Sequence, residues 1–172
     1  MNVVFYLAAA VAVASTAIVI TRLNAVHALL YLIVSLLSVA LVFFTLGAPF
    51  VAALEVIIYA GAIMVLFVFV MMMLNLGPQT TEHERQWLGP KAWSGPTILV
   101  AILLAELVYV MTQAGGPPTG AGSVSPQEVG IALFGPYVLG VELASMVLLA
   151  GLVGAYHLGR RDGPEEQKKA IR

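Results

Sequence analysis

A run of apolar residues from Val51 to Leu76, VAALEVIIYAGAIMVLFVFVMMMLNL, leaves that part of the chain essentially one way to fold. As an ideal helix it would rise about 39 Å, against roughly 30 Å of hydrocarbon in a bilayer. Within hydrocarbon each backbone N–H and C=O needs a partner inside the protein, and a helix supplies those partners from its own chain. The run is therefore read as a spanning helix that tilts, bends or overhangs. It is not a plain anchor, because Glu55 and Tyr59 stand four residues apart on one helical face and Gly61 sits near the middle, between Ala60 and Ala62. An ionisable residue inside a span is a position to examine for function.

Four more segments have bilayer length, at about 3–21, 25–46, 96–114 and 136–158, and with the third at 51–76 they predict an all-α membrane protein with five transmembrane helices. The helices occupy residues 1–159, and the charged tail at 160–172 has too little apolar content to span or build a core. Composition agrees: 60% of residues are apolar and 10% charged, where soluble domains hold roughly 45–50% apolar residues. The absence of Cys excludes disulfides, thiolate zinc sites and iron–sulfur ligation by this chain. A net charge of −1 carries no signal for nucleic acid. The first segment lacks the basic start of a cleavable signal peptide and is read as a retained helix.

Cations orient the predicted helices. With the N-terminus outside, Arg22, Arg85, Lys91, Arg160, Arg161, Lys168, Lys169 and Arg172 all fall inside, and these are all eight Lys and Arg residues of the chain. The positive-inside rule then places the N-terminus in the periplasm and the C-terminus in the cytoplasm, in a bacterial inner membrane. Small residues recur at helical spacing, as in Ala8, Ala12 and Thr16 or Gly140, Ala144, Ala150 and Gly154, and such stripes let helices pack closely.

Glu55, Glu106 and Glu142 are the only carboxylates inside the predicted spans, and no Lys or Arg lies in a span to neutralise them. A charged carboxylate near the bilayer centre costs roughly 2.5–3.5 kcal/mol on insertion scales. Each must be protonated, hydrated or paired outside this chain, and each is a candidate for a proton path, with Tyr59 offering a hydroxyl one turn from Glu55. Packing against neighbouring helices is the alternative for all four. Gly61 permits close backbone approach or a departure from regular winding. Met71, Met72 and Met73 read as packing filler. His27 and His157 stand at predicted interfaces beside Arg22 and Arg160, and no nucleotide-binding or hydrolase motif appears.

Two stretches, NAVHALLYLIVSLLSVALVFFTLGAPFVAALEVIIYAGAIMVLFVFVMMMLN (Asn24 to Asn75) and GIALFGPYVLGVELASMVLLAGLVGAYHLGRR (Gly130 to Arg161), resemble the J-subunit family of bacterial NADH:quinone oxidoreductase, respiratory complex I, whose mitochondrial counterpart is NADH dehydrogenase subunit 6. The block EVIIYAGAIMVLFVFVMMML is the most specific part. The resemblance implies a non-catalytic membrane subunit of a proton-pumping enzyme, lying between the quinone-site and antiporter-like subunits. It implies no cofactor in this chain, with NADH, FMN, iron–sulfur clusters and quinone held by other subunits. It also implies a π-bulge in the third helix, over Tyr59, Ala60, Gly61 and Ala62 and on toward Val65, whose formation and loss make or break a water path. Glu55 matches a family position that is often acidic, whereas Glu106 matches no motif. Ala25 stands where many members have Pro, which alters only the entry to the second helix. A purely structural scaffold, or a subunit of a related cation/proton antiporter or membrane-bound hydrogenase, stays open as an alternative.

Overall fold

The computed structural model describes residues 2–22, 25–73, 90–113 and 122–160, and these residues hold helices and turns with no strand among them. The helices are α1 (Asn2–Thr21), α2 (Ala25–Thr45), α3 (Pro49–Leu54), a π-helix (Glu55–Ile63), α4 (Met64–Met73), α5 (Pro90–Gln113), α6 (Pro126–Phe134) and α7 (Val138–Gly159). Five stretches are long and apolar enough to cross a membrane: Val3–Thr21, Ala25–Thr45, Pro49–Met73, Trp93–Thr112 and Val138–Gly159. The third of these joins α3, the π-helix and α4 into one continuous span. Leu74 to Leu76, Ala114, His83, Arg85 and the tail beyond Arg160 lie outside the described residues.

The chain divides into two compact units, Met1–Pro126 and Gln127–Arg172. In the first, the core is made where α1, α2 and α5 meet. Val4, Ala8 and Val11 repeat at helical spacing on α1 and bury against Val34 and Leu41 of α2 and Leu103 of α5. Leu99 and Val110 extend the α5 stripe above and below Leu103. Ala8 is fully enclosed, as a small residue at a close helix crossing should be.

Hydrogen bonds add direction to that packing. Ser35 of α2 donates to the carbonyl of Ala12 on α1 at 3.1 Å, and its Oγ lies 2.7 Å from the Thr16 hydroxyl. Thr16 donates to its own helix at Ala12, at 2.9 Å, so the single Ser35 proton is shared between the Ala12 carbonyl and the Thr16 oxygen. The stripe of Ala8, Ala12 and Thr16 is thus the seam between the first two helices, with one backbone carbonyl serving both helices of the crossing.

The link from α2 to α3 is tight. Gly47 takes φ +83°, a left-handed conformation that favours glycine, and Pro49 follows at the start of α3, where the missing N–H costs nothing. The Gly47 carbonyl accepts from the Val124 N–H at 2.8 Å, and a Cβ at Gly47 would stand 3.0 Å from the Gly122 carbonyl oxygen. The turn is therefore pinned by the segment that precedes α6.

Two boundaries and one additional helix differ from the sequence expectation. The third span begins at Pro49, not Val51, because proline can open a helix as well as break one. Likewise α5 begins at Pro90 and carries Pro96 inside it, where the sequence placed a helix start. Pro96 is the seventh residue of α5, past the four free N–H groups of its first turn, so it removes one bond of the helix ladder, and it is buried. In the second unit α6 is an additional helix of nine residues, too short to span, which ends in a turn at Gly135 to Tyr137 before α7. The Tyr137 N–H bonds the Ala132 carbonyl at 3.1 Å across that turn.

Replacing Ser35 and Thr16 by alanine, singly and together, is expected to give a coupling of about 0.6 kcal/mol, the usual size for interhelical hydrogen bonds in membranes. Unfolding of the purified protein in a mixed-micelle denaturant series measures it; strict additivity would mean the contact contributes nothing.

Candidate functional site

The departure from regular winding begins at Glu55. Its own N–H is still shared between the carbonyls of Ala52 and Val51, three and four residues back. At the other end the Met64 N–H is shared between the carbonyls of Gly61 and Tyr59, three and five residues back. Between these points the chain is a π-helix, with bonds closing over five residues instead of four. Its flanks return to ordinary helical dihedrals, with Leu54 at φ −62° and ψ −40° and Met64 at φ −68° and ψ −36°. The backbone thus stays hydrogen-bonded through the segment while its turn widens.

Gly61 is where the local sequence allows this. A Cβ placed on it would lie 3.2 Å from the carbonyl oxygen of Val56, five residues back. A side chain there would press on the carbonyl that the wide turn brings round. Ala60 and Ala62 flank it with minimal bulk. Wide winding also changes which residues share a face: Glu55 has Tyr59 four residues on and Ala60 five residues on, so the acid's face is divided between a hydroxyl-bearing ring and a methyl group.

Glu55 is half-buried and Tyr59 is 49% exposed, and no hydrogen bond joins their side chains. Both therefore present polar atoms at the surface of this chain. Val65 lies one residue past the π-to-α return, in α4, so the irregular winding begins earlier and ends sooner than an expectation running from Tyr59 to Val65. The side chain that packs at the return is Met64, only 2% exposed and the largest fully enclosed among the described residues. Met72 and Met73, read from sequence as filler, are exposed on α4.

Glu106 is placed differently. It continues the buried stripe of Leu99, Leu103 and Val110 on α5 and is 7% exposed. Both its carboxyl oxygens are enclosed without a hydrogen-bond partner among the described residues, as is the hydroxyl of Ser15 on α1. Buried polar groups are normally bonded, so the acid is accommodated only with a proton, a water or a group supplied from beyond this chain. Glu142 belongs to the second unit, in the early part of α7, where its backbone carbonyl accepts from the Ser145 hydroxyl at 2.6 Å. The sequence candidates thus fall into three places: Glu55, Tyr59 and Gly61 on one π-wound segment, Glu106 in the interior between α1, α2 and α5, and Glu142 on α7.

Sequence reading missed the pairing of Ser35 with Thr16 and the burial of Ser15 and Ser38. The signal was present in the spacing: Ser15 extends the Val4, Ala8 and Val11 stripe, and Ser38 lies between Val34 and Leu41 on α2. Among the described residues no three His, Asp or Glu side chains gather as a metal-holding group.

A family model described as NADH-ubiquinone/plastoquinone oxidoreductase chain 6 matches residues 15–158. The chain is similar to NADH-quinone oxidoreductase subunit J of Pseudomonas aeruginosa, with 59% identity over 169 residues that cover 96% of this chain and 100% of that protein. It is 57% identical over 162 residues to subunit J of Escherichia coli strain K12, covering 94% of this chain and 88% of that one. Against subunit J of Buchnera aphidicola subsp. Schizaphis graminum the identity is 49% over 160 residues, covering 93% and 98%.

Glu106→Leu is expected to raise stability by about 1–3 kcal/mol, the usual cost of a buried polar group left without a partner. Thermal unfolding of the purified protein checks this, and a loss of stability would mean that the carboxyl is already satisfied there by its own proton or by water.

Proposed function

The chain belongs to the NADH-ubiquinone/plastoquinone oxidoreductase chain 6 family, and from that premise we propose that its third span is a switchable element coupling quinone reduction elsewhere in the complex to proton movement through the membrane. On this reading it is a multi-pass subunit of complex I with no catalytic centre of its own. NADH, FMN, iron–sulfur clusters and quinone are held by other subunits, and its neighbours are the quinone-site and antiporter-like subunits. The N-terminus faces the periplasm and the C-terminus the cytoplasm, in keeping with the distribution of the eight cations.

The observation that carries the proposal is the π-helix from Glu55 to Ile63, with Gly61 set against the Val56 carbonyl. A helix wound partly as π and partly as α has a neighbouring state in which bonds to the fifth residue back become bonds to the fourth. Such an exchange leaves few backbone groups bare to hydrocarbon, yet it turns the residues beyond the segment about the helix axis. Glu55 and Tyr59 lie on the part that rewinds, so their polar atoms would be offered to or withdrawn from a water chain. Coupling requires only that the two states bind quinone-linked partners differently. Glu142 and Glu106 are assigned supporting positions on the same proton route.

The test is made in the assembled oxidoreductase, with NADH:quinone turnover and proton stoichiometry measured together. Gly61→Val is expected to impair turnover more than assembly, because a branched side chain meets the Val56 carbonyl in the π form. Wild-type rate and pumping in that variant would remove the switch. For Glu55→Gln a lowered proton stoichiometry with normal assembly is expected; an unchanged stoichiometry would leave Glu55 a packing residue and the subunit a scaffold.

A further inference from the structure

A helix that changes its winding turns whichever end is free, and the structure holds one end of the third span. Its Pro49 end is joined to α2 through Leu46, Gly47 and Ala48, which form a Schellman turn. The Gly47 N–H donates to the Phe44 carbonyl at 3.1 Å and the Ala48 N–H to the Phe43 carbonyl at 3.0 Å, with Gly47 left-handed at φ +83°. The Ala48 carbonyl then accepts from the Ala52 N–H at 3.0 Å, which opens the ladder of α3. The link is thus bonded into both helices and has no loose joint.

A distant part of the chain closes on this turn. The Val124 N–H donates to the Gly47 carbonyl at 2.8 Å. A Cβ on Gly47 would stand 3.0 Å from the Gly122 carbonyl oxygen and 3.9 Å from the Ser123 Cα, so the two backbones lie close against each other and Gly47 cannot shift toward them. Both segments belong to the first compact unit. Ala52, one turn on, is buried, which seats α3 as well. The other end of the span is held far less: beyond Met64, none of residues 65–73 is buried.

We propose that residues 122–125 clamp the Pro49 end of the third span, so that rewinding of the π-helix is delivered to α4. Exchanging bonds to the fifth residue back for bonds to the fourth sets only the angle between the two flanks, at about 100° per residue of ordinary winding. Which flank moves is decided by what holds the other. A span free at both ends would divide the turn between them, and about half would reach α4; a clamped span passes on nearly all of it. Val124 and Gly47 are positioning residues in this scheme. Val124 acts through its backbone N–H, since its side chain is 38% exposed. The clamp's role rests on the switch proposed above, whereas its geometry does not.

Two substitutions at one position separate the bond from the side chain: Val124→Pro removes the N–H, and Val124→Ala keeps it. In the assembled oxidoreductase, Val124→Pro is expected to leave NADH:quinone turnover and the yield of assembled enzyme unchanged while proton stoichiometry falls to about half. Val124→Ala is expected to match the wild type in all three. Wild-type stoichiometry in the proline variant, or an equal loss in both variants, would overturn the clamp. If the proline variant does not assemble, the wild-type enzyme answers through amide hydrogen exchange, followed with and without NADH and quinone. Exchange is expected to change in the peptide holding residues 64–73 and to stay the same in that holding 43–54. An equal change in both would overturn the clamp and leave the switch standing. No change in either would remove the switch, and the clamp's role with it.

Discussion

Every part of this structure answers to the requirement that backbone polar groups in hydrocarbon find partners inside the protein. That requirement makes each long apolar segment a helix and bars a loop from the middle of the membrane. It also shapes what a movable element can look like. The π-helix between Glu55 and Ile63 satisfies the requirement while being irregular: the N–H of Met64 reaches back to Tyr59 as well as Gly61, so the winding changes without leaving a donor bare. A break in the helix would have served motion equally well in water. In a bilayer, a change of winding is the inexpensive form.

The remaining helices are held unequally. α1, α2 and α5 share an interior with interlocked side chains and a serine–threonine contact, whereas the third span leans on α2 through Met64 and the α3 face. Most of its large apolar side chains, from Val56 to Val70, are exposed. Without a hydrophobic drive between helices in lipid, a span packed on one side is the one most readily turned by neighbours. That asymmetry suits a subunit of a larger membrane complex, and the family to which the chain belongs consists of such subunits.

Much of this was legible before the fold was known, for a physical reason. Bilayer thickness imposes a length on apolar runs, so the five spans stood out, and the scarcity of charge in them made Glu55, Glu106 and Glu142 conspicuous. Gly61 was conspicuous as a glycine near the middle of a span, within the small run Ala60, Gly61 and Ala62. The errors came where one residue serves two purposes. Pro49 and Pro90 were left in the links before their spans although proline also opens helices, Pro96 was read as a helix start although it lies inside α5, and α6 went unseen because nine residues are too few to register against a bilayer yardstick. Methionine was assigned to packing by its run at 71–73, while the one enclosed by its neighbours among the described residues is Met64.

The sequence by itself determined how many times the chain has the means to cross a membrane and which residues would be costly there, because both follow from the free energy of single side chains in hydrocarbon. Only the tertiary structure decided what surrounds them. Glu55 and Glu106 are the same acid at similar hydropathy, yet one sits half-buried at the head of a π-helix and the other lies enclosed between three helices without a partner. Their difference arises from which helix faces meet, a matter of side-chain fit between segments far apart in the chain. The extent of the π winding was likewise seen only in the fold: glycine permits it, but that it runs from Glu55 to Ile63, and that the enclosed Met64 follows it, is read from the structure.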